Sequence, residues 1–185
     1  MALAKLYLFN DDVKEVIAHF ETQLKKDPSF LLGYMVLGII YDERGEPEKA
    51  ESYYRQALTI NRDFVPAANN LAWSLAERNK NINEALILAR NIKYIMPENP
   101  HILDTLGWIY FKLGYYGKAI SNLEESVSML PDNALYNYHL GKTYYKNEQL
   151  EEARRYLKKA LTLAPDFKGA EDARRTLKGY RSLEG

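Results

Sequence analysis

Apolar and small residues recur along this chain with two periods at once. Inside a segment they fall at i, i+3, i+4 and i+7, the spacing of one helix face: Leu103, Leu106, Gly107 and Tyr110 line one such face, and Ala119, Leu123 and Ser126 line the next. Between segments the whole pattern returns. A small residue after a leucine stands at Gly38, Ala72, Gly107 and Gly141, at spacings of 34, 35 and 34, and an alanine follows each after 12 or 13 residues, at Ala50, Ala85, Ala119 and Ala153. Pro28, Pro97, Pro131 and Pro165 close units, with Arg62 in the corresponding place of one. Each period predicts two helices joined by a tight turn, and the repetition predicts a solenoid of stacked helix pairs.

The punctuation has a physical reading. Gly45 and Gly114 sit at the turns, where a left-handed backbone costs glycine nothing. The second unit spends one more residue there, in ERNKNINEA, which accounts for its length of 35. Proline ends each second helix because it lacks an N–H and disfavours helical geometry in the residue before it. Gly107 and Ala119 fall where two antiparallel helices cross, so their small size lets the backbones approach.

These residues resemble the tetratricopeptide repeat family. Its signature of a large residue, leucine-glycine, tyrosine, alanine, aromatic, alanine and proline is carried by Tyr34, Leu37, Gly38, Tyr41, Ala50, Tyr54 and Ala57, and again by Leu140, Gly141, Tyr144, Ala153, Leu157, Ala160 and Pro165. The resemblance implies an all-α, right-handed superhelical solenoid of antiparallel helix pairs. Full repeats are expected at 31–64, 65–99, 100–133 and 134–167, after a partial leading repeat at 1–30 and before a capping helix and tail at 168–185. Ala170, Ala173, Leu177 and Tyr180 form the apolar stripe of that cap. Repeat two departs from the pattern, with Ala68, Leu75 and Ala89 where bulk is usual, so looser packing is expected there. Some phrases also resemble bacterial repeat proteins associated with exopolysaccharide export and protein sorting.

In this family the first helix of each pair turns one face to a concave groove. Trp73 and Trp108, the two tryptophans, lie two residues after the signature leucine, about 200° around the helix from the core slot before it. They are therefore expected to line the groove. The same register collects Met35, Ile39, Asn69, Asn70, Asp104, Thr105, Phe111, Lys112, Tyr138, His139, Lys142 and Tyr145, flanked by Leu32, Asp42, His101 and Lys146. Rings beside amide donors suit an extended or helical segment of a protein partner. Packing of the indoles against neighbouring repeats is the alternative, and a stacked carbohydrate or other small ligand is another. The family's carboxylate clamp for chaperone tails is not expected: Asn70 matches its central asparagine, but Met35, Ile39, His101 and Thr105 occupy the other places.

Composition adds mainly exclusions. Lys and Arg number 25 against 25 Asp and Glu, so the chain has no net attraction to nucleic acid. From Lys142 onward eleven basic residues face seven acidic ones, which reads as a solvated helix face. With no cysteine there is neither a disulfide framework nor a thiol nucleophile. No phosphate loop or metal-ligand histidine pair is present, so no enzyme activity, cofactor or metal is expected. MALAKLYLFNDD is too short to span a bilayer and carries no cleavage-like signal, so no targeting segment and no membrane insertion are read. Leu3, Leu6, Tyr7 and Phe9 would stand partly exposed, which suggests either a longer array or a homo-oligomer paired through residues 1–30. A regulatory or targeting array of a longer enzyme is the remaining alternative.

Overall fold

The structure, a computed structural model, describes residues 13–181. The exposure expected for Leu3, Leu6, Tyr7 and Phe9 and the stripe position of the Tyr180 side chain fall outside what it describes. Among the described residues there are ten α-helices and no strand. The chain forms two compact units divided between Arg78 and Asn79.

The first unit contains α1 (Val13–Lys26), α2 (Leu31–Glu43), α3 (Pro47–Ile60) and α4 (Val65–Glu77). The second contains α5 (Ile82–Ile95), α6 (Pro100–Lys112), α7 (Tyr116–Met129), α8 (Ala134–Lys146), α9 (Leu150–Leu163) and α10 (Ala170–Arg181). Three pairs, α2 with α3, α6 with α7 and α8 with α9, fold back on themselves and pack most extensively. Their cores are apolar and closed: Leu37, Ile40 and Tyr54 are fully buried in the first unit, as are Leu103, Ile109, Leu123, Leu140 and Leu157 in the second.

At the centre of each pair a glycine meets a large side chain. A Cβ on Gly38 would lie 2.3 Å from the Tyr54 ring, one on Gly107 2.6 Å from Leu123 Cγ, and one on Gly141 2.8 Å from Leu157 Cγ. No carbon fits at those distances, so the glycine after Leu37, Leu106 and Leu140 is required by the side chain opposite. At Gly107 the Ala119 carbonyl also closes in, to 3.3 Å. The crossing therefore rests on Leu123 as much as on Ala119.

Each of these pairs turns in the same way. Gly114 (φ 78°) takes the left-handed conformation; its N–H reaches the Phe111 carbonyl at 3.0 Å and the Tyr115 N–H reaches the Tyr110 carbonyl at 2.9 Å. This is the Schellman arrangement, which satisfies carbonyls at a helix end. Gly45 (φ 72°) repeats it with Asp42 and Tyr41. In the last pair the position is Glu148 (φ 61°), with the same two bonds to Tyr145 and Tyr144. The one-residue-longer turn between α4 and α5 uses two left-handed asparagines, Asn79 and Asn81, the residue type that tolerates this region best after glycine.

Two helix starts, those of α6 and α8, are fixed by side chains. Asn99 Oδ1 accepts from the His101 and Ile102 N–H groups, and Asn133 Oδ1 accepts from that of Tyr136. Such caps contribute about 1 kcal/mol each. The connecting segments are tied down too: Ser126 donates to the Pro100 carbonyl at 2.8 Å, and Asn137 Nδ2 to that of Pro131 at 2.9 Å.

Helix α10 covers the end of the second unit. Ala170 and Ala173 are buried on it and Leu177 is half-buried. Its polar anchor is Asp172, which accepts from the Tyr138 hydroxyl at 2.9 Å and pairs with Lys142 Nζ at 2.7 Å; Lys142 also donates to Thr176 Oγ1 at 3.2 Å. Burial pushes the Asp172 carboxyl up, but bonds from Lys142 and Tyr138 outweigh it and hold the group below its ordinary value.

Two outcomes are expected. Glu148→Gly removes left-handed strain of about 1–2 kcal/mol less glycine's greater unfolded-state entropy, leaving a net gain of about 0.5–1 kcal/mol and a higher Tm by differential scanning calorimetry. Asp172 is held low in the fold, so its stabilisation is present above its ordinary pKa of 3.8 and is lost as pH falls through the lower folded value. Asp172→Asn therefore lowers Tm at neutral pH and flattens the loss of Tm on acidification below about pH 4.

Candidate functional site

In the first unit the expected site residues lie on the neighbouring helices α2 and α4. Met35 is only 6% exposed and packs as core, whereas Leu32, at the start of α2, is 54% exposed. Ile39, Asn69, Asn70 and Trp73 are half-buried. Asn70 is committed inward: its Nδ2 reaches the Tyr54 hydroxyl at 3.5 Å, and that hydroxyl donates to Asp42 Oδ2 at 2.8 Å. Burial first, and the Asp42 carboxylate second, push the Tyr54 hydroxyl far above its ordinary pKa, so it remains a donor across the whole working range. Asn69 differs. Its Oδ1 is buried with no hydrogen-bond partner among the described residues, an arrangement that folding alone disfavours.

In the second unit the expected residues come together but are largely covered. Trp108 on α6 is 6% exposed. It stacks on Phe111 with centroids 4.5 Å apart and on His139 of α8 at 4.2 Å, while Lys112 Nζ sits 5.3 Å above the indole. Behind it, His139 Nδ1 bonds Asp104 Oδ1 at 2.8 Å, both side chains almost wholly buried. Thr105 is buried alongside. Tyr138 is buried by its contacts with Phe167 and Asp172, and Lys142 is half-buried by its bonds to Asp172 and Thr176, with Nζ 5.9 Å above the Tyr145 ring. Phe111 and Tyr145 are half-buried; Lys112 and His101 are exposed.

The open, groove-lining position expected of Trp108, Asp104, Thr105, Tyr138 and His139 is thus a seam between first helices. The angular argument places these side chains away from the core of their own pair. Beyond that face, however, the next first helix comes close enough to fill the space: α8 supplies His139 to α6, and α10 supplies Asp172 and Thr176 to α8. Position within a helix pair carries no information about that separation.

Sequence reasoning also passed over an apolar row on α5. Ala85, Ala89 and Ile92 form the buried stripe, yet Ile87 is 60% exposed and Tyr94 91% exposed. The signal was available, since Ile87 and Tyr94 are seven residues apart on a face turned from that stripe. Among the described residues no group of three or more His, Cys, Asp or Glu side chains could hold a metal ion, and no helix is long and apolar enough to cross a membrane.

Known proteins share this fold. The type IV pilus biogenesis factor PilW has a crystal structure that superposes with a TM-score of 0.79 at 25% identity, covering 96% of this chain and 84% of its own. Type IV pilus assembly protein PilF of Pseudomonas aeruginosa is 23% identical over 81% of this chain and 60% of its own length. The TPR repeat-containing protein PA4667 of the same organism is 26% identical over 71% of this chain, which spans 22% of that relative's length. A sequence model of the tetratricopeptide repeat matches residues 8–166. The chain belongs to the tetratricopeptide repeat family, whose members are protein-interaction scaffolds built from such helix pairs.

Proposed function

We propose that the chain is a non-catalytic scaffold that holds a segment of a partner protein on the first helices of its repeats, partitioned at 31–64, 65–99, 100–133 and 134–167. The observation that carries this reading is the α2 and α4 face of the first unit. There Leu32, Ile39 and Trp73 retain exposed apolar surface on the two helices that carry Asn69, whose buried Oδ1 has no hydrogen-bond partner among the described residues. A backbone N–H of an incoming segment would satisfy that oxygen while the apolar side chains and the indole supply contact area. The Lys112, Phe111 and Tyr145 surface of the second unit offers further rings and a cation for the same purpose. Similarity to PilF and PilW supports a partner within a multi-protein assembly.

The two tryptophans are expected to separate function from folding. Trp73→Ala leaves helical circular dichroism and Tm close to wild type, but weakens capture of the partner from source-cell extract by about 1–3 kcal/mol. Trp108→Ala lowers stability by about 3–5 kcal/mol, because the indole fills a closed seam. Undiminished capture of the same proteins by a folded Trp73→Ala variant would refute the binding face.

A further inference from the structure

A second candidate surface lies in the second unit and shares no residue with those above. Arg90, Lys93 and Tyr94 of α5, Pro97 beyond its end, Leu106 and Tyr110 of α6 and Asn122 of α7 line an open cavity of about 400 Å³, within the size range of ligand clefts. Its base is apolar: Leu106 is 3% exposed and Tyr110 half-buried. Tyr94, 91% exposed at the rim, stands with Ile95 and Met96, at 45% and 43%. Large side chains so uncovered on one helix mark an interaction surface.

The charge lining this cavity is one-sided. Among its lining residues there are two cations and no carboxylate. Lys93 Nζ donates to a neutral amide oxygen, Asn122 Oδ1, at 2.7 Å and forms only a long ion pair, at 4.0 Å, with the partly exposed Glu125. Arg90 is exposed and forms no ion pair among the described residues. A third cation, Lys118 Nζ, lies 5.6 Å from the Tyr110 ring and 5.5 Å from that of Tyr115. Such a site complements one carboxylate and one apolar group presented together. It does not complement a phosphate backbone, which needs a row of cations along its length.

We propose that this cavity docks an extended acidic segment of a protein partner. A Glu or Asp side chain of that segment meets Arg90 and Lys93, while an adjacent apolar side chain enters against Leu106, Tyr110 and Tyr94. Arginine supplies a planar, bidentate carboxylate contact, and the positioned Lys93 adds a second. The site is separate from the α2 and α4 face, so the two stand or fall independently.

The test presents the full chain with an array of labelled octapeptides pairing Asp or Glu with Phe, Tyr, Leu or Ile, beside Asn and Gln counterparts, and reads fluorescence anisotropy. Acidic-apolar peptides are expected to bind, with affinity falling at least about tenfold in the amide counterparts and in Arg90→Glu or Tyr94→Ala, and unchanged in Trp73→Ala. Both substituted residues are exposed, so circular dichroism should be preserved; Arg90→Gln serves as the milder variant. The proposal is overturned if no peptide binds below about 1 mM, or if acid and amide peptides bind alike. It is also overturned if Arg90→Glu binds as wild type does. A concentration-dependent dimer abolished by Tyr94→Ala, without peptide binding, would instead assign the surface to a second copy of the chain.

Discussion

The structure depends on how closely two helices can cross. In three pairs a glycine on the first helix lies directly beneath a large side chain of the second, Tyr54, Leu123 or Leu157, at a distance that excludes even a methyl group. That approach sets the rest. It buries the leucine before each glycine, brings the turn residues into the Schellman arrangement, and decides which faces remain for packing between first helices. The dispersion gained per atom pair is small, but it is summed over every residue of the crossing.

What remains outside these contacts is the material for recognition. Trp108 has been used up by packing: Phe111, His139 and Lys112 surround it, and the buried Asp104–His139 bond fixes the ring beneath. Tyr138 and Lys142 serve in the same way to hold α10. Trp73, Ile39 and Asn69 keep part of their surface, and so do Ile87, Tyr94 and Ile95 of α5. Buried polar groups in such a seam are costly unless they are paired. The seam of the second unit pairs Asp104 with His139; among the described residues, Asn69 Oδ1 of the first unit and Asn137 Oδ1 of the second are buried without a hydrogen-bond partner.

The helices and their turns were legible because each depends on short-range rules. Gly114 was read as left-handed from its place between two apolar faces, and it has φ 78°. Ala119, Leu123 and Ser126 were read as one face, and all three are fully buried. Glu148 was not singled out, because nothing about a glutamate announces a left-handed backbone. The face of Trp108 could be read from its position in the helix, but its burial could not, since that depends on how near His139 of another helix approaches. Tyr94 differs: its exposure follows from its place opposite the Ala85, Ala89 and Ile92 stripe, a signal that the sequence carries.

The central claim is that glycine at the crossing is demanded by the side chain opposite. The direct test is a double-mutant cycle on Gly107 and Leu123, read by reversible chemical denaturation. Gly107→Ala alone is expected to cost about 1–3 kcal/mol despite alanine's better helix propensity, and Leu123→Ala alone about 2–5 kcal/mol. Combined, they should cost less than their sum by more than about 0.5 kcal/mol, because the new methyl enters the space the leucine leaves. A neutral or stabilising Gly107→Ala, or strict additivity with Leu123→Ala, would show that the close approach does not govern this fold.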